Sequence, residues 1–297
     1  NTQSFTGANR INNVSFPVYP GGSAANVTKN AAASGTLEFY NATGAFAGET
    51  YDLDPNNLIN WTGPVTLTWN GSVSTNWNDA ANWTASSGPD IVPTGAEDVI
   101  IAPAVNQPIL TSFGAITANL TINNGATLIL NTPLDAAAND LDVNGDLIID
   151  GTLRLNSSND YMTVEGNWDK ATTGNVFMNG NVTFDGSGGS KSIDNGNTAF
   201  YNLTIGGTIN YQLARNMIVN NNLVINSGST LDVTPTDYTL TLKGNLMNNG
   251  TFNSQDGTVV FNATSGPKTI DGGSSWFNDI DINASGVTYQ MSDDLLV

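Results

Sequence analysis

The chain has 297 residues, 8 Lys plus Arg against 26 Asp plus Glu, and a net charge of −18, with no His and no Cys. So acidic a chain argues against nucleic-acid binding and against docking on an anionic membrane, since both need clustered cations. The missing His and Cys exclude thiol catalysis, disulfides, zinc fingers and iron–sulfur clusters, and remove the commonest general base.

Only 11% of residues are charged, against roughly 25% in an ordinary soluble domain. Polarity comes instead from Thr, Ser, Gly and 43 Asn. Asn and Gly accept the left-handed backbone of turns, and Thr suits exposed strand positions, while all three disfavour helix interiors. The apolar share is 39% and is patterned, which sets disorder aside. No stretch approaches the ~20 apolar residues of a membrane helix. Scarce Lys, absent Cys and abundant Asn and Thr suit an extracellular or cell-surface protein. The chain opens at Asn1 rather than Met and stops in the apolar run Leu295-Leu296-Val297, so it reads as a piece of something longer.

In chain order, residues 1–60 carry strand-like Thr36-Leu37-Glu38-Phe39-Tyr40 and Ile59-Asn60-Trp61 around a turn-rich stretch. They read as the trailing end of a preceding β module. Residues 61–113 hold four of the six Trp, at Trp61, Trp69, Trp77 and Trp83, with Pro64, Pro89 and Pro93. The open end of a β-helix exposes apolar core and unpaired strand edges. A Trp-rich segment before the first coil is therefore expected to be a cap. The other reading is a sugar-stacking platform in which Trp69, Trp77 and Trp83 stand exposed and coplanar as ligand-binding residues.

Residues 114–297 repeat internally, 162–219 matching 240–297 at an offset of about 78. Met162-Thr163-Val164-Glu165-Gly166-Asn167 matches Leu240-Thr241-Leu242-Lys243-Gly244-Asn245, and Lys191-Ser192-Ile193-Asp194 matches Lys268-Thr269-Ile270-Asp271. Asn202-Leu203-Thr204-Ile205 matches Asp279-Ile280-Asp281-Ile282, and Tyr211-Gln212 matches Tyr289-Gln290. The second copy reaches its end at the equivalent of Val219, so sequence resembling Asn220–Val233 is expected to follow. A shorter period lies inside the long one. Asn181, Asn202, Asn222 and Asn245 each open an alternating apolar segment, and they follow one another at a nearly even spacing. That spacing is the length of one solenoid coil. The same alternation marks Leu120/Ile122, Leu128/Leu130, Leu141/Val143, Leu147/Ile149, Leu153/Leu155, Leu231/Val233 and Leu240/Leu242, with Asn-Gly and Ser-Gly turns between.

Two architectures compete: hairpins in an antiparallel sandwich, and a right-handed parallel β-helix. The coil-length period favours the all-β solenoid, with three to four coils in each long repeat and a stacked ladder of the recurring Asn.

Trp69-Asn70-Gly71, Asn76-Trp77-Asn78, Ala81-Asn82-Trp83, Val92-Pro93-Thr94 and Asp98-Val99-Ile100-Ile101 resemble the segment that opens the β-helical passenger regions of large bacterial surface proteins, both autotransporter-like adhesins and Bacteroidota outer-surface proteins. Gly257-Thr258-Val259-Val260-Phe261-Asn262 and Lys268-Thr269-Ile270-Asp271-Gly272 resemble the repeats that follow there. The resemblance implies a secreted, surface-anchored repeat protein, exported by a type IX-like secretion route and facing other cell-surface proteins, glycans or the anchoring machinery. It transfers no catalytic residue.

Parallel β-helices also host polysaccharide-degrading enzymes, which need a Lys, Arg or His base or clustered carboxylates. Here the eight cations are scattered, and Lys191 and Lys268 are repeat equivalents, which favours a structural role. No catalytic residue and no cofactor is expected. Asp142-x-Asn144-x-Asp146 and Asp52-x-Asp54-x-Asn56 have the alternating oxygens that open a Ca²⁺ loop. Position 6, normally Gly, is Leu147 or Asn57, and position 12, normally acidic, is Leu153 or Gly63. Plain Asn/Asp turns are the simpler reading; a structural Ca²⁺ on Asp142, Asn144 and Asp146 is the other. Asn41-Ala42-Thr43, Asn202-Leu203-Thr204 and Asn262-Ala263-Thr264 are glycosylation triplets only where exposed. The function expected is a non-enzymatic stalk or adhesin segment. A carbohydrate-binding module is the alternative, and a polysaccharide-degrading enzyme the more distant one.

Overall fold

The computed structural model describes residues 65–86, 89–132, 139–234, 236 and 238–297, and the backbones of four short strands before them. Those four pair in parallel, Ile11–Asn12 with Phe39–Tyr40 and Val27–Thr28 with Ile59–Asn60. The rest of 1–64, including Trp61 and the Asp52-Asp54-Asn56 turn, lies outside the described residues.

From residue 98 onward the chain winds as a parallel β-helix with three faces. One coil runs Leu141–Val143 on the first face, Leu147–Ile149 on the second and Thr152–Leu155 on the third. It then returns to the first face at Tyr161–Val164, where Leu141 lies in register with Met162. The first face is a nine-stranded sheet from Ala115–Thr117 to Tyr289–Met291, and the second is ten-stranded. The third is split. Four strands end at Asn175–Met178, and five more begin at Ala199–Phe200. The gap follows the longest strand, Ser187–Asp194, whose register shifts between Ser187 and Ser190. Two positive-φ glycines, Gly188 and Gly189, let the backbone bulge outward there.

Alternation decides which side chains enter the interior. Along Leu203, Leu223 and Leu246, and along Ile205 and Ile225, register partners stack inside the solenoid. Leu203, Ile205, Leu223 and Ile225 have no exposed surface. The antiparallel sandwich is thereby excluded. Asn144-Gly145 and Asn248-Asn249-Gly250 turn the chain from one face to another instead of closing hairpins. Among the described strand pairs only Thr66–Trp69 with Trp83–Ala85 is antiparallel.

The long repeat does not stack copy upon copy. Met162 to Val164 lie on the first face, but their counterpart Leu240–Leu242 lies on the third. Lys191 to Asp194 lie on the second face and Lys268–Asp271 on the first. Asn202–Ile205 lie on the first face and Asp279–Ile282 on the third. Each copy therefore advances eleven faces, or three coils and two-thirds, and presents its outer residues a third of a turn away from the last. The cause is arithmetic: the length of the repeat is not a whole number of coil lengths.

Corners are as tightly stacked as faces. Where the first face turns into the second, a Cβ at Gly166 would lie 2.3 Å from the Gly145 carbonyl oxygen, and one at Gly186 would lie 2.2 Å from that of Glu165. Only glycine fits such an approach.

Leu203→Ala removes wholly buried methyls between two stacked coils and should lower unfolding free energy by about 2–5 kcal/mol. Gly166→Ala, which forces two corners apart, should lower it by about 1–3 kcal/mol. Urea midpoints at constant slope read both, and an unchanged midpoint for Leu203→Ala would contradict the inward assignment.

Candidate functional site

The candidate ligand residues Trp69, Trp77 and Trp83 lie together at the start of the solenoid. Thr66–Trp69 joins the second face in parallel with Asp98–Ile101, and Trp83–Ala85 folds back along its other edge. This places Trp69 and Trp83 in register, both without exposed surface, and Trp77 at 2%. Trp83 meets Trp69 at 5.0 Å and 84°, and Trp77 at 4.7 Å and 80°. Edge-to-face packing of buried rings offers no sugar a face. The expectation of an exposed, coplanar platform at Trp69, Trp77 and Trp83 is corrected: the three indoles cover the end of the coil interior. Indole N–H groups are satisfied internally for two of them, Trp83 donating to the Trp77 carbonyl at 2.9 Å and Trp69 to that of Asn106 at 2.8 Å.

Asn82 holds this cap together, and composition gave no hint of it. Its amide is fully buried. Its oxygen accepts from the Val73 and Ser74 N–H groups, and its nitrogen donates to the Ser74 hydroxyl and the Asn76 carbonyl. All four hydrogen bonds an amide can make are present.

The recurring Asn form the expected ladder. Asn202 donates to Asn181 Oδ1 at 2.9 Å, and Asn222 N donates to Asn202 Oδ1 at 3.1 Å. Asn245 donates to Asn222 Oδ1 from both backbone and amide, and Thr269 N closes on Asn245 Oδ1. The amide of Asn202, first residue of a glycosylation triplet, is thus engaged in the ladder. A second ladder stands at the corner leading into the second face. Asn119 donates to Asp98 Oδ1, Asp146 N to Asn119 Oδ1, Asn167 to Asp146 Oδ1 and Ser192 N to Asn167 Oδ1. Asn167 and Asn245 are repeat equivalents, so the rotation of the repeat carries one device to two corners.

That second ladder accounts for Asp146 among the Ca²⁺ candidates. Asp142 instead accepts from the Thr163 hydroxyl on the outer first face, and Asn144 donates to the Gly95 carbonyl at 3.4 Å. The three side chains are engaged by three different neighbours. Among the described residues no three His, Cys, Asp or Glu side chains gather where a metal could be held.

Two acidic groupings were invisible in the sequence. Asp140 and Asp160 have no exposed surface and share the Thr132 hydroxyl, at 2.9 and 3.2 Å. Burial raises the Asp140 pKa, hydrogen bonds from Tyr161 N–H and Thr132 oppose that, and the Asp160 charge adds to the rise. Asp185 stands at the corner after Asn181–Phe184. Partial burial first, then the Asp142 and Glu165 charges, push its pKa up to about 6.

Tyr211 ties three coils. Its buried hydroxyl accepts from Gly186 N–H and donates to the Glu165 carbonyl, both at 2.9 Å, and burial leads the rise of its pKa to about 12. Its repeat equivalent Tyr289 accepts from Ala263 N–H at 3.0 Å, the counterpart of the Gly186 contact. The matched Tyr-Gln pairs were the sequence signal for this strut.

The cations act singly. Arg215 pairs with Asp194 at 2.7 Å, Arg154 lies 3.9 Å over the Phe177 ring, and Lys243 donates to Asn220. Lys191 and Lys268 are half-buried on different faces, each in register with a tyrosine, Tyr211 and Tyr289. A depression of neutral character, about 410 Å³, is lined by Thr251, Asn253, Ser254, Gln255, Ser274 and Trp276. Trp276 is 66% exposed.

Residues 68–184 match the model of a family described as a domain of unknown function, DUF8693. The match runs from the tryptophan cap to Phe184. No curated protein and no solved structure matches the chain.

Tyr211→Phe leaves the Gly186 N–H and the Glu165 carbonyl without their buried partner and should cost about 1–3 kcal/mol; a denaturation midpoint equal to wild type would contradict the strut. For Asp185 the folded pKa lies above the unfolded one, so the native state holds the extra proton between about pH 4 and 6. Stability from this group is therefore present in acid and lost as pH rises through 6. Asp185→Asn should raise Tm slightly at pH 7 and leave it unchanged at pH 3.5. The gain is small because solvent screens this exposed corner.

Proposed function

We propose that the chain is a non-enzymatic structural segment, a stiff β-helical stalk or adhesin segment of a secreted or surface-anchored bacterial protein. The observation that carries this reading is how the polar side chains are used. The Asn ladders, the Tyr struts and the Asn82 hub all bond one coil to the next or fasten the cap. Such bonds resist shear between coils, which is what a load-bearing rod requires. The resemblance of the 69–101 segment to the openings of bacterial β-helical passengers supports an extracellular location and a type IX-like export route. The high negative charge keeps neighbouring rods apart.

A second reading, carbohydrate binding, is favoured by Trp276. It is a large exposed indole beside hydroxyl and amide groups, the pairing that suits a neutral sugar ring.

Pulling the segment from its two ends tests the stalk. It should unravel in steps that each release one coil, about 70 Å of contour for an extended segment of that length. Collapse of the whole array in one low-force event would contradict a load-bearing role. Glycan-array binding by wild type that is abolished in Trp276→Ala would favour the second reading; no binding by either would remove it.

A further inference from the structure

Two carboxylates share one hydroxyl inside the corner between the third and first faces. Thr132 follows the third-face strand Thr127–Leu130, Asp140 precedes Leu141–Val143, and Asp160 precedes Tyr161–Val164 one coil further on. Asp140 and Asp160 have no exposed surface, and Thr132 is buried with them. Hydrogen-bond donors to the pair are few. Asp160 accepts Ser157 N–H on Oδ2 at 2.8 Å and Thr132 N–H on Oδ1 at 3.0 Å. Asp140 accepts Tyr161 N–H on Oδ2 at 2.9 Å. The Thr132 hydroxyl lies 2.9 Å from Asp140 Oδ2 and 3.2 Å from Asp160 Oδ1. It carries a single hydrogen, so it donates to one of them and leaves the other facing its oxygen. Asp140 Oδ1 is buried with no hydrogen-bond partner at all. No basic side chain balances the pair: among the described residues the one ion pair is Arg215 with Asp194.

We propose that Asp140, Asp160 and Thr132 form a binding site for a hard divalent cation, Ca²⁺. Buried carboxylates are costly unless a positive charge is paired with them, and two of them match the charge of one divalent ion. Every ligand atom on offer is an oxygen, the donor set of Ca²⁺ and not of zinc or copper. A cation engages Asp140 Oδ1 through its lone pairs, whereas a proton placed there would have no acceptor. It also takes up the Thr132 oxygen wherever the hydroxyl hydrogen points. The upward shift of the Asp140 pKa reflects the same deficit, burial first and the Asp160 charge in addition. The ion fastens three segments at one point: the chain leaving a third-face strand and the starts of two first-face strands that pair through Leu141 and Met162. This site is distinct from Asp142-x-Asn144-x-Asp146. Its ligands come from two stacked coils, so no linear spacing displays it. The inference rests on charge and hydrogen-bond inventory and stands whether or not the rod bears load.

The experiment strips the full chain of divalent ions with EDTA and titrates it with CaCl₂. Calorimetric titration of wild type should give a single Ca²⁺ per chain. Tm should rise by about 5 °C at roughly a hundredfold excess over Kd. Asp140→Asn keeps the shape of the side chain and removes one charge, and should abolish both the binding heat and the rise. Asp142→Asn, on the outer first face, should keep both. Wild type that binds no Ca²⁺ and keeps its Tm would overturn the proposal, and a proton shared through Thr132 would then be what neutralises the pair. Ca²⁺ binding that survives Asp140→Asn, or that is lost in Asp142→Asn alone, would overturn it as well.

Discussion

Everything in this molecule follows from the spacing of hydrogen-bonded parallel strands, about 4.8 Å from one coil to the next. Once each coil pairs with its neighbours through backbone N–H and C=O groups, whatever occurs once per coil must stack on itself at that distance. An inward leucine then meets a leucine, as Leu203, Leu223 and Leu246 do. A corner must be narrow enough for the corner above, which is why Gly166 and Gly186 carry no side chain. An outward polar group must find a partner one coil away, and asparagine, both donor and acceptor, can do this without limit along the axis.

The same spacing explains why an acidic chain is tolerated. Stacked carboxylates would repel directly, and Asp185 shows the effect beside Asp142 and Glu165. Most acidic positions in the ladders avoid it by alternating with amides: Asp98, Asn119, Asp146 and Asn167 follow one another in the second ladder. Asparagine-rich composition and negative charge are thus two sides of one arrangement. Amides share the corners with carboxylates such as Asp98 and Asp146, and the Thr132 hydroxyl serves the two buried ones, Asp140 and Asp160.

The parallel solenoid was legible because alternation and a coil-length period survive in plain sequence. So was the ladder through Asn181, Asn202, Asn222 and Asn245, whose spacing is the coil length. The rotation of the long repeat was not legible. Coil lengths vary: the step from Ala115 to its partner Leu141 is longer than the step from Met162 to Val182. A match between copies therefore does not say which face each occupies. Tryptophan content marked residues 61–113 as special but could not separate a buried cap from an exposed platform, because an indole serves either. The Asp140–Asp160–Thr132 cluster was hidden because its members come together only when coils of unequal length stack. Tyr211 and Tyr289 were visible as a repeat match, but the role of Tyr211 depends on reaching a corner two coils back.

Asn181–Phe184 lies beside Asn202–Ile205, parallel and one coil apart. The chain has no native cysteine, so a disulfide tests this directly. Thr183 and Thr204 are register partners on the outer first face, at a separation a disulfide spans. Under mild oxidation Thr183→Cys with Thr204→Cys should cross-link rapidly within one molecule, and Thr183→Cys with Ser190→Cys should not. Efficient coupling of Thr183→Cys to Ser190→Cys, with none to Thr204→Cys, would mean that neighbouring strands run as hairpins and would contradict the account.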